Sequence, residues 1–474
     1  MATTRVRTMQ SIDPSSGELI EEFAPMSDER VDRLVGDAHR AFAGWRTRSF
    51  AQRAELMRRA ATVMREDVER LAATITAEMG KTLAEARAEV EKCAFCCDHY
   101  AEHAEEYLRD QPMPSDSPRS FAAFEPIGVV LAVMPWNFPL WQVFRFAAPG
   151  LMAGNTAVLK HAANVSRCAL EIEDVFRRAG FPDNVFRTLL IPGGAVERVI
   201  ANPLVRAVTL TGSDTTGSLV ASTAGEHVKK TVLELGGSDA FVVLADADLQ
   251  EAARVGAKSR FQNCGQSCIA AKRFIVVEAV AGEYERLLVE QARALRVGDP
   301  RDTTTQMGPM AREDLRASLE DQVRRAVSDG ARVATGGRRI GERGWYYEPT
   351  VLLGCTPQNT AFREETFGPV AAVMRVRDEE HALEVANDSP YGLGGNLWTR
   401  DVERGVALAR RMDTGGVFVN GMTHSDPRLP FGGVKRSGYG RELSSFGIRE
   451  FVNVQTIWIG DAGTDGGGGG AAVE

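Results

Sequence analysis

The residues best equipped to react lie in Phe261-Gln262-Asn263-Cys264-Gly265-Gln266-Ser267-Cys268, where two thiols sit four residues apart. A Gly-Gln-Ser turn leads Cys268 into what reads as the start of a helix. Backbone N–H groups at a helix start carry partial positive charge, so a thiol there ionises more readily and becomes a nucleophile. The same residue also reads as a small buried hydrophobe, the common fate of a free cysteine. Glu234 lies inside the apolar run Thr231-Val232-Leu233-Glu234-Leu235. Desolvation there would raise its pKa and make it a general base near neutral pH; the alternative is a strand-edge carboxylate facing solvent. Buried acids without a task are uncommon, which favours the base. Asn137, in Met134-Pro135-Trp136-Asn137-Phe138-Pro139, is stiffened by aromatic and proline neighbours just beyond a strand. It reads as a preorganised donor to an oxyanion or as a turn-forming Asn.

Leu210-Thr211-Gly212-Ser213-Asp214-Thr215-Thr216-Gly217 is a strand end turning through glycine into a helix. Such a turn lets backbone approach a diphosphate, although its spacing is not G-x-G-x-x-G. Cys93, Cys96, His99 and His103 share one face of a helical stretch. Metal ligation is weighed against packing there, and packing is favoured because Phe95 and Cys97 intervene and no second half-site follows. Cys264 reads as a packed thiol, with an oxidative cross-link to Cys268 as the other reading, which requires Cα atoms within about 7 Å.

The elements that must position these residues follow from periodicity. Gly17 punctuates an N-terminal hairpin, and helical patterns follow Ser27 and run through residues 51–74 and 83–108. Prolines and serines over residues 112–118 mark an extended connection. The continuous apolar run of residues 127–134 has the look of a strand covered on both faces, and further runs lie at 156–159, 186–191, 205–210 and 240–244. Helical stretches at 145–153, 167–179 and 195–201 separate them, giving a doubly wound, mostly parallel sheet. After Cys268 the alternation restarts with a strand at 274–277, helices at 284–294 and 315–330, and strands near 370–375 and 416–419: a second α/β unit. Residues 451–459 run apolar outside either unit and could pair with another chain at a sheet edge, which predicts an oligomer.

The 474 residues are enough for about three ordinary domains. A net charge of −8 leaves no basic footprint for nucleic acid or anionic membrane. Seven dispersed cysteines are no disulfide framework and suit a reducing cytoplasm. No signal peptide or membrane-spanning run is read, and the glycine-rich stretch 461–474 is expected to be a loose tail.

Asn137, Lys160, the Gly212–Gly217 turn, Glu234 with Gly236-Gly237, Gly265-Gln266-Ser267-Cys268, Glu365-Thr366-Phe367-Gly368-Pro369 and Pro430-Phe431-Gly432-Gly433 occur in one chain in this order. In that arrangement the chain resembles the aldehyde dehydrogenase superfamily, from the N-terminal hairpin to about Ile459. The resemblance implies a cofactor domain over residues 1–110 and 124–235 and a catalytic domain over 236–437. Residues 111–123 and 438–460 would form a small β extension for a homodimer or homotetramer. It implies Cys268 as nucleophile, Asn137 and the Cys268 N–H as oxyanion donors, and Glu234 as the base for thioester hydrolysis. Lys160 and Ala163 would lie at the adenosine ribose, Gly212, Ser213 and Gly217 at the diphosphate, Glu365 at the nicotinamide ribose and Phe367 beside that ring, with Trp136 and Leu235 also binding the cofactor.

Within the superfamily, residues 135–142, 159–162 and 265–273 resemble a short bacterial group of succinate-semialdehyde dehydrogenases. Arg145 and Ser425 match residues that hold a substrate carboxylate there, with Phe431 beside them. A second arginine of the wider family is here Gln262, for which Arg428 or Arg260 is considered as a replacement. NAD-preferring relatives often carry a glutamate where Ala163 stands. Its absence, with Lys160 and His161 as sources of positive charge, makes NADP the expected cofactor, with NAD also accepted. Dehydrogenation of another small aldehyde, transfer of the thioester to coenzyme A, and a non-catalytic nucleotide-binding relative are the alternatives.

Overall fold

The computed structural model describes residues 8–460; the tail expected over 461–474 lies outside the described residues. A six-stranded sheet runs in the order Gly438–Tyr439, Lys230–Glu234, Val205–Thr211, Val129–Met134, Thr156–His161, Phe186–Thr188. All pairings are parallel except that of Gly438–Tyr439, which lies antiparallel against Leu233 and Glu234. Those two residues, grouped above with the β extension, thus form the edge of the first sheet. Alternate residues of the central strand enter different cores: Val130, Ala132 and Met134 pack with the helices of residues 50–107, and Val129, Leu131 and Val133 pack on the other side with the helix of residues 28–45. Burial of both faces is why this strand reads as one unbroken apolar run.

A seven-stranded sheet forms the second unit, in the order Arg332–Thr335, Thr350–Leu353, Val370–Val376, Ala271–Val277, Asp239–Val243, Gly394–Trp398, Gly416–Val419. Only Arg332–Thr335 is antiparallel. The third sheet is wholly antiparallel and joins Gln111–Pro112, Arg119–Pro126 and Val452–Ile459. Its Val452–Ile459 edge leaves Val454 and Trp458 more than half exposed. Among the described residues no helix is long and apolar enough to cross a membrane.

Ser27 caps the Asp28–Trp45 helix by accepting from the Arg30 N–H. The single helical pattern expected over residues 51–74 is two helices, Phe50–Glu66 and Val68–Met79. They part at Asp67, which leaves helical geometry (φ −100°, ψ 15°) while its carboxylate draws Arg70 and Arg178. Thr82 and Glu85 form a reciprocal cap on the Leu83–Tyr107 helix. In that helix Cys93 and Cys96 pack into the hydrophobic core, and His99 joins a ring group with Tyr100, His103 and Tyr107.

One buried ion pair ties this helix to the functional region. Lys81 and Glu89 pair with almost no exposure, and the Lys81 ammonium lies 3.9 Å from the centre of the Phe138 ring. The other Glu89 oxygen accepts the backbone N–H groups of Leu140 (2.9 Å) and Trp141 (3.0 Å), where the Trp141–Met152 helix begins. Removing one partner strands a buried charge. Glu89→Ala should therefore cost about 3–5 kcal/mol, and Lys81→Met combined with Glu89→Gln, whose amide oxygen still accepts both N–H groups, should cost much less. Thermal unfolding reads this directly; an unchanged midpoint for Glu89→Ala would contradict it.

Candidate active site

Cys268 is not at a helix start. The Leu249–Phe261 helix ends before it, a short 3₁₀ turn covers Gln262–Gly265, and the Ala271–Val277 strand begins after it. The chain reverses through left-handed backbone at Asn263 and Cys264 (φ 53° at each) and at Gly265 (φ 69°). Such geometry costs on the order of 1–3 kcal/mol at a non-glycine residue and persists only where the surroundings enforce it. A side chain on Gly265 would strike the Gly368 carbonyl. The Glu85 carboxylate accepts the Asn263 N–H (2.6 Å), and the Asn263 amide donates to the carbonyls of Asn137 (2.9 Å) and Gln266 (3.0 Å). Arg260 is fully buried and donates to the Gly265 carbonyl (3.0 Å), the Thr366 carbonyl (3.1 Å) and the Gly368 carbonyl. Lys272, also fully buried, donates to the carbonyls of Ser267 (2.9 Å) and Cys268 (2.7 Å).

The half-buried Cys268 lies on the wall shared by two cavities, of about 230 and 250 Å³. Burial pushes its thiol up to about 12, while Arg145 and then Lys272 pull it toward ionisation. The expected help from a helix dipole is thus replaced by two side-chain cations. Cys264 belongs to the core of the second sheet instead, whereas Cys268 packs against the first core. Burial holds the Cys264 thiol above its ordinary range.

The larger cavity is lined by Trp136, Asn137, Gly212, Ser213, Leu235, Glu365 and Phe367, among others. Trp136 and Phe367 meet edge to face at 5.8 Å. Glu365 accepts the Gly237 N–H (3.1 Å) and lies 3.3 Å from the Lys272 ammonium. A side chain on Gly236 would collide with Glu365, so backbone alone fits between that carboxylate and the cavity. Ser213 caps the Asp214–Glu226 helix, whose first N–H groups face the turn. Apolar walls, a carboxylate and a capped helix start fit a nicotinamide dinucleotide. Gly217 is not on the cavity wall; its lack of a side chain admits Leu235. Lys160 and exposed Ala163 lie beyond this cavity, at the end of the neighbouring strand Thr156–His161.

His161 does not add positive charge there, contrary to expectation. It is buried, its Nε2–H donates to the Pro139 carbonyl (2.8 Å), and its Nδ1 accepts the Ala162 N–H (2.9 Å). That network satisfies the neutral ring, and burial lowers its pKa to about 4.

Glu234 ends the Lys230–Glu234 strand, 2% exposed, with neither carboxylate oxygen hydrogen-bonded among the described residues. Burial raises its pKa well above the ordinary range and the nearby Glu442 charge adds to this, against Arg145 and Arg441. Gly432 leaves it room: a Cβ there would come within 2.8 Å of the carboxylate. Asn137 is buried beside Cys268; its amide donates to the Gln266 carbonyl (3.1 Å) and keeps a second N–H.

The smaller cavity brings together Arg145, Ser425 and Phe431, together with Gln262 and Lys92. Arg145 lies 4.6 Å from the Phe431 ring centre, pairs with buried Glu442, and donates to the Thr211 hydroxyl (3.2 Å). Neither arginine considered as a substitute at Gln262 lines the cavity. Arg260 serves the loop carbonyls, and Arg428 is an exposed partner of Asp426 (2.6 Å). Lys92, Lys272 and Glu442 escape a reading by motif because each is an ordinary charged residue, brought to the site only by packing. A thiol held above its usual range reacts only as rising pH ionises it, so iodoacetamide labelling of Cys268 should accelerate close to tenfold per unit between about pH 7 and 10. Mass spectrometry of the labelled peptide measures this, and a rate already level near pH 7 would contradict it.

Known proteins share this arrangement. The family model described as "Aldehyde dehydrogenase family" matches residues 1–457. The probable NADP(+) succinate-semialdehyde dehydrogenase of Synechocystis sp. is 49% identical over 449 residues, covering 95% of this chain and 99% of its own. The NADP(+) succinate-semialdehyde dehydrogenase of Mycobacterium avium is 48% identical over 468 residues, covering 98% of this chain and 99% of its own. A solved succinic semialdehyde dehydrogenase from Streptococcus pyogenes, in complex with NADP+, superposes with a TM-score of 0.94 at 39% identity, covering 96% of this chain and 100% of that one. With its match spanning nearly the whole length, the chain belongs to the aldehyde dehydrogenase family.

Proposed function

We propose that this enzyme oxidises succinate semialdehyde to succinate, using NADP in preference to NAD. The observation that carries this is Cys268 between two cavities, one fitted to a dinucleotide and the other to a small carboxylated molecule. The relatives named above act on this substrate, and the Streptococcus pyogenes enzyme holds NADP+.

In this reading the Cys268 thiolate attacks the aldehyde carbon and forms a thiohemiacetal. The second N–H of Asn137 and the Cys268 backbone N–H stabilise its oxyanion. Bound NADP supplies the acceptor for the hydride released as that carbon becomes a thioester. Glu234 then takes a proton from the water that cleaves the thioester, freeing the acid and the thiol. Burial raises its pKa and only the deprotonated form serves, so hydrolysis quickens as pH rises through that pKa. Lys160 and Ala163 hold the adenosine ribose, Gly212 and Ser213 the diphosphate with Gly217 behind them, and Glu365 the nicotinamide ribose. Trp136, Leu235 and Phe367 border the ring. Arg145, Ser425 and Phe431 receive the far end of the substrate. The exposed Val452–Ile459 edge supports a homodimer or homotetramer, and seven unpaired cysteines support a reducing, cytoplasmic setting.

Steady-state kcat/KM for succinate semialdehyde and butanal, each with NADP and NAD, tests the proposal. The carboxylated aldehyde with NADP should be preferred by tenfold or more, roughly the 1.5–3 kcal/mol of a charged hydrogen bond. Equal rates for both aldehydes would overturn the substrate reading. Ala163→Glu places a carboxylate where the 2′-phosphate would lie, so it should lower kcat/KM with NADP far more than with NAD. Equal losses would contradict the assigned role of Ala163.

A further inference from the structure

We propose that Lys92 is the second cation of the substrate cavity and binds the substrate carboxylate together with Ser425 and Arg145. This deepens the function proposed above and rests on a carboxylated substrate.

Lys92 projects from the Leu83–Tyr107 helix, between core residues, into the cavity that also contains Cys268. Its ammonium donates to the Ser425 hydroxyl oxygen (3.0 Å) and lies 4.1 Å from the Trp141 ring centre. The Trp141 indole N–H donates to the same oxygen (2.9 Å). Ser425 therefore accepts twice, and its own proton is free to point into the cavity. The ammonium keeps two further N–H bonds with no ion-pair partner among the described residues. Burial lowers the Lys92 pKa to about 8, and the Arg145 charge adds to this. An anion between the two cations would restore full charge to Lys92 and relieve their repulsion.

Two acids on the same wall do not compete for that anion's place. Glu89 is occupied by Lys81 and by the N–H groups of Leu140 and Trp141. Glu85 accepts from Asn263 with one oxygen and from Thr82 with the other. Arg145 already pairs with Glu442, and neutral Gln262 supplies no charge. Lys92 is thus the cation of the cavity wall with its charge uncommitted. Hydrogen bonds to charged groups are worth enough to shift a binding constant by tenfold or more.

The test compares the ratio of kcat/KM for succinate semialdehyde to that for butanal, with NADP, in the wild type, Lys92→Met and Lys92→Arg. Lys92→Met keeps the packing of the stem and removes the charge; Lys92→Gln is the second neutral variant, should the first not fold. The ratio should fall at least about tenfold in the neutral variant, mainly through KM, and recover in Lys92→Arg. The inhibition constant of succinate should rise in parallel. A wild type that prefers succinate semialdehyde, with a neutral variant that keeps the preference, overturns the role of Lys92 alone. A wild type with no preference overturns the substrate reading and this proposal with it. Equal losses on both aldehydes assign Lys92 a structural role and overturn the proposal as well.

Discussion

Everything in the site depends on holding the irregular segment from Asn263 to Cys268 in one conformation. Its backbone turns left-handed at two residues that have side chains, which no local preference would choose. Three charged side chains impose it: the partly buried Glu85 from a distant N-terminal helix, and the buried cations that flank the segment, Arg260 from the preceding helix and Lys272 from the following strand. Each meets backbone groups that would otherwise be unpaired in the interior, so charge and loop satisfy one another. Cys268, the proposed nucleophile, gains a fixed backbone N–H and a fixed place between two cavities.

The same burial that fixes the loop sets the chemistry. It disfavours the Cys268 thiolate and the Glu234 carboxylate alike, and the two cations nearest the thiol offset part of that penalty. Arg145 lies at the centre of these effects. It lowers the thiol, opposes the rise of Glu234, pairs with Glu442 and lines the proposed substrate cavity. Its substitution would therefore disturb ionisation and binding together, which makes it a poor reporter of substrate charge. Lys92 feels the Arg145 charge but is not among the groups that shift Cys268 or Glu234, which makes it the cleaner probe.

Much of this was legible in the amino-acid sequence. The doubly covered strands announced themselves as apolar runs, and Glu234 stood out because a carboxylate is foreign to such a run. Cys268 was legible as a residue but not in its setting. A Gly-Gln-Ser turn resembles a helix start locally, and the side chains that turn it into a strand entrance include Glu85, 178 residues before Asn263. His161 reads as a positive charge because the Pro139 carbonyl that takes its Nε2 proton comes from a loop 22 residues away, beyond the adjoining strand. The break at Asp67 is hidden because helical periodicity continues across it, and one of its two ion-pair partners, Arg178, lies far along the chain. Lys92 was hidden for a related reason: a lysine in a charged helix normally faces water.

The central claim is that Cys268 carries the acyl group and Glu234 releases it. Rapid mixing of Glu234→Gln with NADP and succinate semialdehyde, followed by intact-protein mass spectrometry, tests this most directly. The account predicts a burst of NADPH close to one per Cys268, then negligible turnover, with the acyl group persisting on that cysteine. Undiminished steady-state turnover, or a burst that leaves Cys268 unmodified, would contradict it.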